Sequence, residues 1–352
     1  MASASIAAAA AASAALVVTT PRWDPEVLSG GAYKYAPYLR GGDLETGLSA
    51  GTLLYYREGA AGTVSVRKTA ASVAMAIDGK VDASNDADML TQRLLAHLPL
   101  VLHPAPREVA IIGLGSGVTA GSALAHGVAR VDVLEISPEV VEASAHFTAD
   151  NRDALRDPRL RLIVGDGRSH LALGARIYDV IISEPSNPWM AGVAGLFTRE
   201  FFESARARLA PQGLLCQWAH TYDITAADLR SIAATFASVF PDGTMWLVGE
   251  GDLLLIGGPS GVRPDAQRIA RALSYPSVRD DLAGVGVRSP FELLSLFAGS
   301  GEDLRAFAAD SAIQTDNRLA LEFSAPRAIF GRSSDQNAQD LRDRAARARR
   351  PE

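Results

Sequence analysis

The stretch EVAIIGLGSGVTAG, residues 108–121, has the pattern of a buried strand, three closely spaced glycines and the start of a helix. Gly113, Gly115 and Gly117 allow a tight turn in which the backbone can approach a ligand. Their spacing is GxGxG, and Val118 stands where the dinucleotide fingerprint GxGxxG requires its third glycine. The stretch therefore predicts a ligand-binding strand-to-helix turn and weakens a nicotinamide interpretation.

The sequence on both sides of this turn alternates between apolar β-branched runs and helical segments of about ten residues, which is typical of βαβ units around a parallel sheet. We therefore predict an α/β fold: a doubly wound, Rossmann-like domain preceded by a small N-terminal β-hairpin domain. The expected divisions are an Ala-rich tail (1–22), a β-rich domain with a connecting helix (23–104), the Rossmann-like nucleoside-binding domain (105–260), a helical region (261–332) and an Arg-rich, solvated tail (333–352).

Composition restricts the class of protein. The 352 residues are 48% hydrophobic and 21% charged, as in globular proteins. A net charge of −6 argues against a nucleic-acid partner, which usually requires a basic patch. The single Cys216 excludes an internal disulfide and favours a cytoplasmic location. The Ala-rich start lacks a basic signal-peptide region and is short for a membrane span, so a frayed tail is expected, with a membrane-proximal remnant as the alternative.

Two further strand ends carry ligand-type residues. Glu135 ends the strand after the glycine turn, where a carboxylate can accept hydrogen bonds from both ribose hydroxyls of an adenosine ligand. Asp166 and Gly167 follow the third strand. Asp166 could accept a hydrogen bond from an adenine amino group, or it could simply cap the next helix. Ligands of open α/β sheets collect at this edge, which favours the binding role.

These motifs, together with YDVIISEPSNP and GLFTREFF, resemble the spermidine synthase family of aminopropyltransferases from about Leu53 to Gly258. The resemblance implies decarboxylated S-adenosylmethionine as donor, a small amine as acceptor, methylthioadenosine as product and a homodimer. It places Gln92 and Ser116 at the donor. The N- and C-terminal segments resemble the divergent branch in which a synthase-like domain follows a membrane-transporter-like region.

Three amine-facing positions depart from the family pattern. Ser116 replaces an Asp in the glycine loop, and Thr91 replaces a Tyr that faces the acceptor. The gatekeeping loop reads Glu184-Pro185-Ser186-Asn187 where the family has Asp-Ser-Ser/Thr-Asp. The resemblance therefore supports the donor site more strongly than the acceptor site.

The gatekeeping loop begins where a buried strand ends in Glu184. The prolines that follow lack amide donors and lead the chain away from the sheet, so the loop can cover a pocket. Glu184 is the candidate general base for the acceptor amine, Asn187 can hydrogen-bond an ammonium, and Trp189 can form a cation–π wall.

Two other functions stay open. Ser116 removes the carboxylate expected near the donor's ammonium, which favours a methyltransferase or another enzyme that uses intact S-adenosylmethionine. A nucleoside-binding domain without catalysis is the third possibility. No metal is expected, because the six histidines show no ligand spacing.

Overall fold

The computed structural model describes residues 2–19, 23–39, 42–249, 251–330 and 334–348. Parts of both predicted tails, residues 1, 20–22, 333 and 349–352, lie outside these ranges. No helix within the described ranges is both long enough and apolar enough to cross a membrane.

A small antiparallel sheet is the first β-structure along the chain. Its four strands follow one another as a meander: β1 Thr52–Gly59, β2 Gly62–Lys68, β3 Val73–Ile77 and β4 Lys80–Ser84. The turn between β3 and β4 contains Asp78 and Gly79, both at positive φ, as the Asp-Gly signal predicts. A helix over Met89–Leu102 then connects this sheet to the strands of a larger one.

An eight-stranded sheet forms the centre of the molecule. It comprises β5 Glu108–Ile112, β6 Arg130–Glu135, β7 Leu160–Val164, β8 Tyr178–Ser183, β9 Leu209–His220, β10 Thr244–Val248, β11 Asp252–Gly257 and β12 Phe297–Gly299. These strands lie in the order β12-β10-β11-β9-β8-β5-β6-β7. The five strands from β9 to β7 are parallel, and β11, β10 and β12 add antiparallel partners at the β9 edge. The doubly wound α/β fold predicted from the sequence is confirmed.

The α-helices of the described ranges are, in chain order, α1 Ala2–Thr19, α2 Pro25–Leu28, α3 Ala32–Tyr35, α4 Leu44–Leu48, α5 Met89–Leu102, α6 Val118–Leu124, α7 Pro138–Ala143, α8 Thr148–Asn151, α9 Gly167–Leu173, α10 Arg199–Ala207, α11 Ala226–Val239, α12 Ala266–Leu273, α13 Pro276–Ala283, α14 Pro290–Leu294, α15 Gly301–Ala308, α16 Leu321–Ser324 and α17 Ser334–Ala348. Helices from α5 onward cover both faces of the large sheet, and α1 is exposed. Two apolar clusters, one on each face of the sheet, form the core.

The C-terminal part of the chain differs from the expectation in two respects. The region expected to be helical contributes β12, which pairs with β10 at the edge of the sheet. Helix α17 is not a solvated tail over its described length, because Ala338 and Leu341 are buried. The Asn337 amide also donates hydrogen bonds to the carbonyls of Thr221 and Ile224 at 2.9 and 3.0 Å. Apolar residues spaced along the helix explain the docking, which the arginine content obscured.

Candidate active site

Four neighbouring parallel strands bring the predicted ligand residues to one edge of the large sheet. The strands lie in the order β8, β5, β6, β7. Glu184 follows β8, Gly113 follows β5, Glu135 ends β6 and Asp166 lies two residues beyond β7. The chain proceeds from β5 to β6 on one side and returns to β8 on the other. This edge is therefore the topological switch point, where open α/β sheets bind their ligands.

The glycine turn has the backbone geometry that its sequence requires. Gly113, Gly115 and Gly117 have φ values of +94°, +51° and +81°. Such conformations are costly for other residues and routine for glycine. A Cβ added to Gly115 would meet only the Ala83 Cβ, at 3.8 Å. The turn thus leaves open space beside Gly115, between the large sheet and the small one.

Glu135 is held by the turn that it was predicted to serve. Its Oε2 accepts a hydrogen bond from the Leu114 amide at 2.8 Å, and its Oε1 accepts one from the Ser137 amide at 2.9 Å. Burial raises the pKa of the carboxyl, and these amides oppose the rise. Each carboxylate oxygen retains a second acceptor site. Glu135 is therefore oriented at the end of β6, and its predicted bond to a ribose hydroxyl is compatible with these contacts.

Asp166 caps the helix that follows it, which is one of its two predicted roles. The carboxylate accepts hydrogen bonds from the Arg168 amide at 3.0 Å and the Ser169 hydroxyl at 2.6 Å, and so caps α9. Its side chain is exposed. Gly167 packs so closely on Ile112 that an added Cβ would lie 2.7 Å from a side-chain carbon. The adenine contact of Asp166 stays a prediction, and Gly167 is required for packing.

Gln92 and Ser116 lie together but bind each other. The Ser116 hydroxyl donates to the Gln92 side-chain oxygen. The Gln92 amide donates to the Ser84 carbonyl at 2.8 Å, and Thr119 donates to the Gln92 carbonyl at 2.9 Å. Both predicted residues are buried. They therefore connect α5, β4 and the glycine turn, and a direct donor contact for either one stays a prediction.

Glu184 is the most perturbed carboxyl at this edge. Its pKa is raised to about 8, mainly by burial and in addition by the carboxylates of Asp252, Asp88 and Asp82, while the Thr119 hydroxyl opposes the rise. Its Oε2 is buried and has no hydrogen-bond partner among the described residues. A carboxyl that titrates near neutral pH, beside a ligand turn, can accept a proton from a reacting group.

The sequence comparisons agree with this geometry. The model of the spermine/spermidine synthase domain matches residues 88–248. The similarity to this domain covers just under half of the chain. The matched range includes Thr91, Gln92, the glycine turn, Glu135, Asp166 and the gatekeeping loop, and it stops before the last strands of the large sheet.

The individual relatives carry names for two different reactions. A spermidine synthase of Dictyostelium discoideum is 28% identical over 48% of this chain and 59% of its own length. Putrescine N-methyltransferase 2 of Nicotiana attenuata is 32% identical over 47% of this chain and 45% of its own length. The chain thus spans about half the length of these relatives. The spermidine synthase structure from Thermotoga maritima superposes with a TM-score of 0.56 and 22% identity, covering 64% of this chain and 78% of that one.

Three carboxylates of the candidate site were missed by the sequence interpretation. Asp82 lies on β4 and pairs with Lys80 at 2.6 Å, and Asp88 accepts a hydrogen bond from Ser84 at 2.6 Å. Asp252 begins β11. All three act on the pKa of Glu184. Asp82 and Asp88 stand close to the Asp-Gly turn and could have been noticed there, whereas nothing in the sequence connects Asp252 to the site.

Thr91 contacts Asp252 directly. Its hydroxyl donates to one carboxylate oxygen at 2.5 Å, and the Trp218 indole N–H donates to the other at 3.1 Å. Burial raises the pKa of Asp252, and these two hydrogen bonds oppose the rise. Thr91, predicted as an acceptor-site residue, thus holds a carboxylate within the site.

The gatekeeping loop packs against the small sheet. Ser186 donates hydrogen bonds to Asp82 at 2.8 and 2.9 Å, which joins the loop to the small sheet. Asn187 is fully buried, and neither its amide nitrogen nor its oxygen meets hydrogen-bond geometry with any described residue. The amide lies near the Tyr222 hydroxyl, whose pKa burial raises and Asn187 lowers. Trp189 is also buried, with its indole N–H unpartnered in the described part of the chain.

His97 and His126 lie outside the candidate site. His97 bridges His126 and Asp281 at 2.9 and 2.8 Å in a buried network between α5, α6 and α13. His220 lies at the site, stacked on Trp218 with ring centroids 5.3 Å apart. The described ranges contain no group of three or more His, Cys, Asp or Glu side chains arranged to hold a metal ion.

Proposed function

We propose that the chain transfers an aminopropyl group from decarboxylated S-adenosylmethionine to a small amine. The observation that carries this proposal is the position of Glu184. Its carboxyl, with a pKa of about 8, lies at the switch point, where the carboxylates of Asp252, Asp88 and Asp82 act on it, and the buried Asn187 follows three residues later. A site of this kind attracts a cationic amine and offers it a proton acceptor.

The reaction requires little chemistry from the protein. The lone pair of the amine nitrogen forms a bond to the aminopropyl carbon attached to the sulfonium. The carbon–sulfur bond breaks, its electrons go to sulfur, and methylthioadenosine leaves. The nitrogen loses a proton, which Glu184 accepts. Because the sulfonium is already an activated leaving group, orientation of the two reactants and removal of the proton are the tasks left to the protein.

The raised pKa of Glu184 suits this task. An ordinary glutamate with a pKa near 4.5 is a weak base toward an ammonium whose own pKa is about 10. Raising the carboxyl to about 8 brings the two values closer and makes the transfer less unfavourable. The surrounding carboxylates contribute twice, because they raise this pKa and also attract the cation.

The donor side is supported by the glycine turn and Glu135. The open space beside Gly115 can receive the nucleoside, and the oriented Glu135 carboxylate can accept hydrogen bonds from its ribose. Gln92 and Ser116, hydrogen-bonded to each other, connect the glycine turn to α5. The homodimer and the cytoplasmic location stay predictions, and size-exclusion chromatography with light scattering checks the first.

A second candidate is N-methylation of an amine with intact S-adenosylmethionine. Ser116 favours it, because its hydroxyl places no charge beside the turn, so a donor that keeps its carboxylate meets no repulsion there. The putrescine N-methyltransferases among the relatives show that such enzymes exist near this sequence.

Mass spectrometry of the products separates the candidates. The full chain is incubated with each donor and a panel of amines. Methylthioadenosine together with an amine enlarged by an aminopropyl group supports the proposal. S-adenosylhomocysteine with a methylated amine supports the alternative. Binding of methylthioadenosine without turnover of either donor supports a non-catalytic nucleoside-binding domain.

A further inference from the structure

A short N-terminal segment, residues 31–35, is fixed against the small sheet. Gly31, at φ +63°, approaches Gly79 so closely that an added Cβ would lie 2.1 Å from the Gly79 carbonyl oxygen. The Tyr35 hydroxyl accepts a hydrogen bond from the Val81 amide at 3.1 Å. The segment lies outside the matched family range of residues 88–248. The similarity to that domain therefore does not account for it.

The chain before this segment is anchored as well. The Arg67 guanidinium donates to the Glu26 carbonyl at 2.7 Å, the Ser29 hydroxyl at 2.8 Å and the Ser49 carbonyl at 2.9 Å. One half-buried arginine of β2 thus holds α2 and the end of α4 together. The segment that follows is held in place at both ends.

The segment contacts the gatekeeping loop through Tyr33. Its ring meets the Trp189 ring edge-on, with centroids 6.3 Å apart and planes at 75°. Burial, together with the Asp82 and Asp78 carboxylates, raises the pKa of Tyr33 to about 12. Tyr33 therefore covers Trp189 on the side where the loop joins the small sheet.

The Lys34 ammonium is buried near Asp223 and His220. It forms an ion pair with Asp223, and both side chains are nearly nine-tenths buried. Asp223 follows Tyr222 and lies three residues after His220, whose pKa burial lowers and the Lys80 and Lys34 ammonium groups lower further. Removing one partner of such a buried pair strongly destabilises the folded protein, because the other charge is left buried without compensation. Asp223 is therefore already neutralised when an external amine arrives.

We infer that residues 31–35 cover the acceptor site and select the acceptor. The ion pair with Lys34 keeps the Asp223 carboxylate from binding an ammonium of the acceptor. The acceptor is then an amine with one ammonium beside Glu184 and no second ammonium at Asp223. This class comprises monoamines and short diamines. The inference rests on the proposed function for the identity of the site as an acceptor site, and it adds two residues, Tyr33 and Lys34, that select the acceptor.

Calorimetry measures amine binding without turnover, because methylthioadenosine is present in place of the donor. The full chain, with methylthioadenosine present, is titrated with butylamine and with 1,8-diaminooctane. The ratio of the two affinities in the wild type is the reference. Lys34→Met removes the ammonium group and frees Asp223, and it is expected to shift this ratio roughly tenfold or more toward the long diamine, the value of one added charge-assisted hydrogen bond. Lys34→Met combined with Asp223→Asn should lose that shift.

Matched controls and a second variant keep the test decisive. Lys68→Met removes an exposed lysine from the end of β2 and should keep the wild-type pattern. If Lys34→Met does not fold, Tyr33→Ala is compared with Tyr38→Ala, since Tyr38 is 61% exposed. Only Tyr33→Ala should gain roughly tenfold in affinity for cyclohexylamine relative to butylamine, because it opens space above Trp189.

The outcomes distinguish this inference from the proposed function. Failure of the wild type to bind any amine, or no change in the affinity ratios of the folded Lys34 and Tyr33 variants, overturns the inference. The expected binding pattern without aminopropyl transfer overturns the proposed function and leaves the inference standing.

Discussion

The backbone of Gly113 lies directly against the backbone of Glu184. A Cβ built on Gly113 would lie 2.5 Å from the Glu184 carbonyl oxygen, and the Glu184 amide donates to the Ile112 carbonyl at 3.0 Å. The ligand turn and the candidate base are thus in van der Waals contact across two adjacent strands. A change in one displaces the other.

Gly113→Ala is expected to disturb both functions at once. The added methyl group would overlap a backbone oxygen, and φ of +94° is unfavourable for alanine, so a loss of about 1–3 kcal/mol in the free energy of unfolding is expected. Nucleoside affinity and turnover should both fall. Gly127→Ala is the control, because an added Cβ there meets nothing within 4 Å. Equal melting temperatures and turnover for the two variants would contradict the contact.

The turnover of the wild type should depend on pH through Glu184. The base acts when deprotonated, so kcat should rise as pH increases through about 8 and then level off. Glu184→Gln keeps the shape of the side chain and cannot accept a proton, so kcat should fall by roughly a hundredfold and lose this dependence. Unchanged turnover in this variant would remove Glu184 from the base role.

Stability should depend on pH in the opposite sense. The carboxyl of Glu184 has a pKa of about 8 when folded and 4.5 as its ordinary value, so the folded state binds more protons between these values. Stability contributed by this group is therefore present below pH 4.5 and lost as pH rises toward 8. The difference in free energy of unfolding between Glu184→Gln and the wild type should grow over that range. Denaturant titrations at several pH values measure it, and a constant difference would contradict the raised pKa.

The parts of the fold that the sequence predicts are those that local pattern determines. β-branched runs and the glycine turn predict β5, α6 and β6, because strand and helix periodicities differ and glycine marks the positive φ. The position of Glu184 follows from the same reasoning, since the residue after a parallel strand must lie at the ligand edge. These inferences use only the local sequence around each residue.

The candidate acceptor site could not be predicted in this way. Asp252 reaches Thr91 across 161 positions of sequence, and Lys34 reaches Asp223 across 189. Such pairs depend on how β11, β9 and the N-terminal segment pack, which no local pattern encodes. The loss of an Asp at Ser116 and at Asn187 suggested a weakened amine site. The structure places Asp82, Asp88 and Asp252 around Glu184, so carboxylates are present from other elements.

Glu135→Gln is expected to weaken nucleoside binding. A neutral amide presents an NH₂ group to one of the two backbone amides from which Glu135 now accepts hydrogen bonds, and it is a weaker acceptor for the ribose hydroxyls. The affinity for methylthioadenosine should fall by roughly ten- to a hundredfold, the usual value of a hydrogen bond to a charged group. Glu139→Gln, in the first turn of α7, is the control. Calorimetry that gives equal affinities for wild type and Glu135→Gln would place the ribose elsewhere.

Asp252→Asn should produce two changes that a purely structural role would not produce together. The asparagine keeps the size of the side chain and can still pair with Thr91 and Trp218, so the fold is expected to persist. The loss of one carboxylate removes an attraction for the ammonium, and the KM for the amine should rise roughly tenfold.

The second change concerns Glu184. Among the neighbouring charges, the Asp252 carboxylate makes the largest contribution that raises the pKa of Glu184. The midpoint of the rise in kcat with pH should therefore move to lower pH in Asp252→Asn. Asp86→Asn is the control, because it removes an exposed carboxylate from the turn between β4 and α5, and it should leave both the KM and the midpoint unchanged. A higher KM with an unmoved midpoint would mean that Asp252 acts on the amine alone and does not couple to the base.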